Sequence, residues 1–128
     1  MFERIEMMRM ARAMGHHVAQ RQVAVARNIA NADTPGYRAQ DLARFEDSYR
    51  RGVETPALRT SNARHIPYEG QLRPAALTTD EAQASPNGNT VSLETEMVRA
   101  AEVKRQHDLS IGIYRSALTL MRASIGRR

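Results

Sequence analysis

Residues 92–126 read SLETEMVRAAEVKRQHDLSIGIYRSALTLMRASIG, and this stretch decides the fold class. Within it Leu93, Met97, Ala100, Lys104, His107, Ile111, Tyr114, Leu118, Met121 and Ile125 fall at alternating steps of four and three residues. Such spacing keeps one stripe of a helix turned toward a partner helix, as in a coiled coil. Lys104 and His107 are polar members of the seam, and polar residues at such positions fix register. Ser92 is a good N-cap, and Glu94 and Glu96 fall in the first turn, where acids oppose the positive end of the helix dipole. Gly126 can end the helix, with Arg122 near its negative end. A helix of this length reaches about 50 Å.

Moving outward, all five prolines (Pro35, Pro56, Pro67, Pro74 and Pro86) lie between positions 35 and 86. Proline inside a helix costs roughly 3 kcal/mol, so the chain divides into helix, irregular middle and helix. The expected units are residues 1–33, 34–89 and 90–128. In the first, expected helical from Glu3 to Ala32, Met7, Ala11, Met14, Val18 and Val25 repeat the four-three spacing, with Arg21 and Asn28 interrupting. A second row, Ile5, Met8, Ala19, Ala26 and Ile29, runs beside it. The fold class expected is therefore mainly α, with long N- and C-terminal helices packed as an antiparallel coiled-coil-like pair around a Pro/Gly-rich middle. For that middle the sequence predicts one short helix from Asp41 to Arg51, with Leu42, Phe45 and Tyr49 on one side. Beyond Glu54 it predicts turns, short extended pieces such as Arg64-His65-Ile66, and a mobile loop from Thr78 to Asn89.

Composition qualifies this scaffold. Apolar residues make up 41% of the chain, but 19 of them are Ala. Large apolar side chains are too few to compensate the ordering of two long helices in an isolated monomer, and further copies are the economical source of burial. The net charge is +5 and 18 of the 19 basic residues are Arg. Residues 1–31 and 90–128 each carry +3, while residues 32–89 carry −1. Arg suits planar pairing with carboxylate and with phosphate alike, so an Arg-rich helical nucleic-acid binder is the alternative reading. Here the Arg residues alternate with acids along both helices and lack stacking aromatics, which reads as solvated faces and ion pairs between subunits.

Other chemistry is thin. His16, His17, His65 and His107 do not stand at the spacing of a helical metal pair, and there is no Cys. His107-Asp108 beside Ser110 are neighbours in sequence, which does not make a triad in space. No enzyme activity, metal, cofactor, small-molecule substrate or nucleic acid is expected. No apolar run approaches the ~20 residues that span a bilayer. Charges at Glu3, Arg4 and Glu6 sit where a cleavable signal would be apolar, so the expectation is cytoplasmic residence or export that reads no such signal.

The first helix runs into Asn28-Ile29-Ala30-Asn31-Ala32-Asp33-Thr34-Pro35-Gly36-Tyr37-Arg38. Pro35 and Gly36 occupy the central positions of a type II turn. The stretch resembles the N-terminal signature of the bacterial flagellar rod and hook proteins, with Asn28, Asn31, Asp33, Thr34, Pro35, Gly36 and Tyr37 as motif residues. Leu58 to Ile66, Asn87 to Met97 and Ile113 to Gly126 are similar to the proximal-rod members of that family. Ser92 stands where that family usually has Asp, and both residues cap helices. The resemblance implies a structural subunit of the proximal rod in the periplasm, built from copies of itself and transmitting torque. It also implies the adaptor FliE, rod proteins such as FlgC, the ring protein FliF and the flagellar type III export apparatus as partners. A different axial rod protein is the second alternative.

Overall fold

The computed structural model describes residues 2–54, 62, 77–79 and 84–126. Two long helices dominate: α1 spans Phe2–Ala30 and α3 spans Leu93–Ile125. Between them lie strand β1 (Gln40–Leu42), helix α2 (Phe45–Glu54) and strand β2 (Leu77–Thr79). The long helices pack antiparallel, since Asn28 near the end of α1 bonds Glu96 near the start of α3, while Gly15 lies beside Ser110. Among the described residues no helix is long and apolar enough to cross a membrane.

Each boundary has a local cause. Asn31 and Ala32 N–H groups still bond carbonyls of the last turn of α1, and the turn at Thr34–Tyr37 then redirects the chain. Tyr37 N–H donates to Thr34 O at 3.3 Å, and Gly36 holds φ 72°, the type II arrangement. At α3 the Ser92 hydroxyl accepts from Thr95 N–H, and Gly126 N–H closes the last turn on Arg122 O. Strand β1 pairs antiparallel with β2, with Asp41 opposite Thr78.

Two expectations are corrected. The short helix begins at Phe45, four residues after Asp41, and continues past Arg51 and Gly52 to Glu54. Asp41 cannot cap a helix here because its carboxylate is held by Arg21 and its backbone lies in β1. The stretch from Thr78 to Asn89 opens with strand β2 and closes with a turn in which Gly88 N–H bonds Ser85 O at 2.8 Å. The extended piece expected at Arg64–Ile66 lies outside the described residues.

The core between the long helices is narrow. Val18, Val25 and Val103 are fully buried, with Met14 and Ala100 packed against them. On α1 the buried row is Ala11, Val18 and Val25; on α3 it is Glu96, Val103, Ser110 and Ala117, spaced seven apart. The α3 packing face is thus rotated by one residue from the seam expected at Met97, Lys104, Ile111 and Leu118. Small side chains explain the choice: Ala117 and Ser110 allow close approach, and a Cβ at Gly15 would already lie 3.5 Å from Ser110 Oγ. Dispersion is greatest where backbones approach, so a row of small residues wins over a bulkier one beside it.

Candidate functional site

The signature stretch builds a polar junction joining the end of α1, the turn and the segment leading into α3. Asn89 is its centre and is buried. Its Nδ2 donates to the carbonyls of Asn31, Ala32 and Thr34 at 2.8–3.0 Å. These carbonyls belong to the turn that follows the last residue of α1, so one buried amide ties down the exit from the helix. Asn89 Oδ1 accepts from Val91 N–H, and Thr90 Oγ1 accepts from Ala39 N–H. Thr90 N–H donates to Tyr37 O, and Gly36 N–H to Asn87 O. Gly88 holds φ 80°, and a Cβ there would lie 3.4 Å from Gly36 Cα, so the two glycines let the two turns touch.

One helical turn further in, Asn28 is completely buried and fully bonded. Its Nδ2 donates to Gln40 O and to Glu96 Oε2; its Oδ1 accepts from Gln40 N–H and Tyr37 O–H. The carboxamide thereby acts as a neighbouring strand to β1 at Gln40 while tying α1 to α3. Glu96, only 1% exposed, is neutralised on its other oxygen by Arg99 at 2.8 Å. Arg99 also lies 3.9 Å from Asp41, which Arg21 grips with two bonds of 2.8 and 2.9 Å. Burial would raise the Asp41 carboxyl, but the bonds from Arg21 and the Leu42 N–H, with the charges of Arg21 and Arg99, outweigh it and hold it below its ordinary range. The bond to Asp41 in turn raises Arg21.

His17 completes this side. Its Nε2–H donates to Ala43 O at 2.8 Å and its ring meets Phe45 edge to face. Its Nδ1 is buried without a partner among the described residues. Burial lowers its pKa below 6.5, which keeps the imidazole neutral.

These contacts divide the helix pair into two sides. Rows flanking an antiparallel seam in the same rotational sense lie on the same side of the pair. Arg21, His17 and Ala24 of α1 and Arg99 and Glu102 of α3 share one side, covered in part by β1 and the chain leading to α2. The opposite side carries Ile5, Met8, Ala19, Ala26 and Ile29 of α1, together with Leu93, Met97, Ile111, Leu118 and Ile125 of α3. Met97 is 63% exposed and Ile125 71%. No described segment of the chain lies over this apolar face.

The residues expected to carry packing and assembly separate accordingly. Ala11, Met14, Val18 and Val25 lie in the intramolecular seam, and Ala100 borders it. Leu93, Met97, Lys104, His107, Tyr114 and Ile125 are exposed, while Ile111, Leu118 and Met121 are half-buried. Ile29 and Met7 are exposed on α1. Of the motif residues, Asn28 and Asn31 enter the junction, Thr34 contributes its carbonyl, Gly36 its backbone, and Tyr37 its hydroxyl. Asp33 and Pro35 are exposed. Arg21, Asp41, Asn89, Glu96 and Arg99 were not singled out as a network from sequence. The seven-residue repeat of Glu96 with Val103, Ser110 and Ala117 was the available signal. His65 lies outside the described residues.

Comparison with known proteins points the same way. The family described as "Flagella basal body rod protein" matches residues 18–38, the second half of α1 and the turn. The chain is 36% identical over 101 residues to the flagellar basal body rod protein FlgB of Escherichia coli (strain K12), covering 73% of each chain. It is 35% identical over 108 residues to the protein of that name from Salmonella typhimurium, covering 78% of each. The FlgB of Agrobacterium fabrum aligns over 127 residues at 28% identity, covering 96% of this chain and 95% of that one.

Proposed function

The chain belongs to the FlgB family of flagellar basal body rod proteins, and on that premise we propose that its uncovered helical face is what holds it in the rod. It is a structural subunit of the flagellar basal-body rod. The observation that carries the assembly reading is the two-sidedness of the helix pair. One side carries strand β1 and the chain leading to α2 through buried and half-buried polar bonds. The other presents an apolar stripe along both helices, of the kind that marks an interaction surface.

Within this reading the units 1–33 and 90–128 form the assembling core. The subunit sits in the proximal, periplasmic rod, and passes there through the flagellar type III export apparatus. FliE, FlgC and FliF are its proposed neighbours besides further copies. The narrow valine core supports partial folding before assembly, because two long helices held by so little buried surface gain much from neighbours. Torque would pass through the helix pair, with the polar junction fixing where each helix meets the middle segment.

Complementation tests the reading. In cells lacking the native subunit, Met97→Asp should abolish rod assembly and swimming while the purified variant keeps its helicity. Normal swimming by that variant would count against the face.

A further inference from the structure

We propose that His17 is an acid-sensitive latch on helix α2: its neutral ring holds α2 against α1, and a second proton on the ring releases α2 while the long helices stay paired. Among the described elements α2 touches α1 alone. That contact centres on His17, which is 6% exposed. Its Nε2–H donates to Ala43 O just ahead of α2, and its ring centroid lies 5.6 Å from that of Phe45. Phe45 in turn packs on Tyr49 at 5.5 Å, so the aromatic face of α2 leans on one titratable ring.

With Nε2–H committed to a carbonyl, the second proton must go to Nδ1, which is buried and has no acceptor among the described residues. The charged groups around the ring do not supply one. On α1, Arg21 and His16 both oppose a positive charge there. On β1, Asp41 favours it, but Arg21 occupies both carboxylate oxygens and Leu42 N–H shares one of them. On α3, Glu102 of the same side is held by Arg105 and Gln106. At the start of α2 and within it, Arg44, Glu46, Asp47 and Arg50 are exposed. A buried imidazolium with an unmet donor is therefore disfavoured, and moving Ala43 and Phe45 off the ring admits water to it.

The release is local because the anchors are separate. Ala43 and Arg44 join β1 to α2 outside any strand or helix, so the chain can bend there. Asn28 and Arg21 hold β1 on α1, and the valine core with the Asn28–Glu96 bond holds α1 on α3. Proton linkage sets the response: the release constant should rise by up to about tenfold per pH unit below 6.5, and level off below the lowered value of the docked ring.

The chain has no Cys, so spin labels on paired cysteines report the two distances directly. Arg12→Cys with Arg50→Cys spans α1 and α2, and Arg12→Cys with Arg115→Cys spans α1 and α3; all three positions are exposed. On acidification the first distance should lengthen and broaden while the second stays fixed. In His17→Gln, whose amide can keep a donor toward Ala43 O and does not titrate, the first distance should not change with pH. Should that variant displace α2 already at neutral pH, the wild-type imidazole titration followed by nuclear magnetic resonance decides: a His17 midpoint that coincides with the lengthening supports the latch, and one that does not overturns it. An α1–α2 distance unchanged once His17 is charged, the same acid response in His17→Gln, or both distances changing together would also overturn it.

Discussion

The two sides of the helix pair solve different problems with different chemistry. The covered side uses Asn28, Glu96, Arg99, Asp41, Arg21 and His17, whose directional bonds admit one arrangement of strand β1 and the chain leading to α2. The uncovered side presents Leu93, Met97, Ile111, Leu118 and Ile125, which on the proposed reading would grip by area and tolerate small sliding. Directional bonds suit contacts made once within a chain, and apolar stripes suit contacts that recur between copies. The comparison implies that lesions on the first side damage the subunit, and lesions on the second damage only the assembly.

The largest effect should come from Asn28→Leu. It removes the partner of Glu96 Oε2, of both Gln40 backbone groups and of the Tyr37 hydroxyl, and should cost about 3 kcal/mol. Circular dichroism of the purified chain should show lost helicity; a variant as helical as wild type would break the comparison on its covered side. Next comes Met97→Asp, whose monomer should stay within about 0.5 kcal/mol of wild type while self-association disappears. Denaturation and sedimentation together check this, and a destabilised monomer would place Met97 in the intramolecular core. Gly88→Ala should cost about 1–2 kcal/mol, since an L side chain must hold positive φ against Gly36.

The smallest effect concerns acid. Burial disfavours the charged imidazole of His17, so between its lowered folded value and 6.5 the unfolded chain binds more protons. The stability it confers is complete above pH 6.5 and is lost as pH falls through the folded value. His17→Gln should flatten that slope, read as the unfolding midpoint against pH. The Asp41 contribution is present above 3.8 and is lost only at lower pH, so the two transitions are separable.

Much of the uncovered side was legible in the sequence, because its large apolar residues announce a helical period. Leu93, Met97, Ile111, Leu118 and Ile125 stand out as a stripe, although the stripe does not face α1. The true packing row was hidden because Glu96, Ser110 and Ala117 carry little hydrophobic signal. Their value lies in smallness and in one buried ion pair, which depend on the partner helix. Likewise the turn at Thr34–Tyr37 follows from Pro35 and Gly36, whereas its bonding to Asn89 joins residues more than fifty positions apart. Strand β1 was hidden for the same reason: the helix expected from Asp41 is replaced by a strand whose Asp41 carboxylate is held by Arg21, far back on α1.

The most direct test of the central claim is a density map of the assembled rod at side-chain detail. The account predicts that Met97, Lys104, Ile111 and Leu118 lie buried against a neighbouring copy. A map in which that row faces solvent, with the subunits joined through the side that carries Gln40 and Asp41, would contradict it.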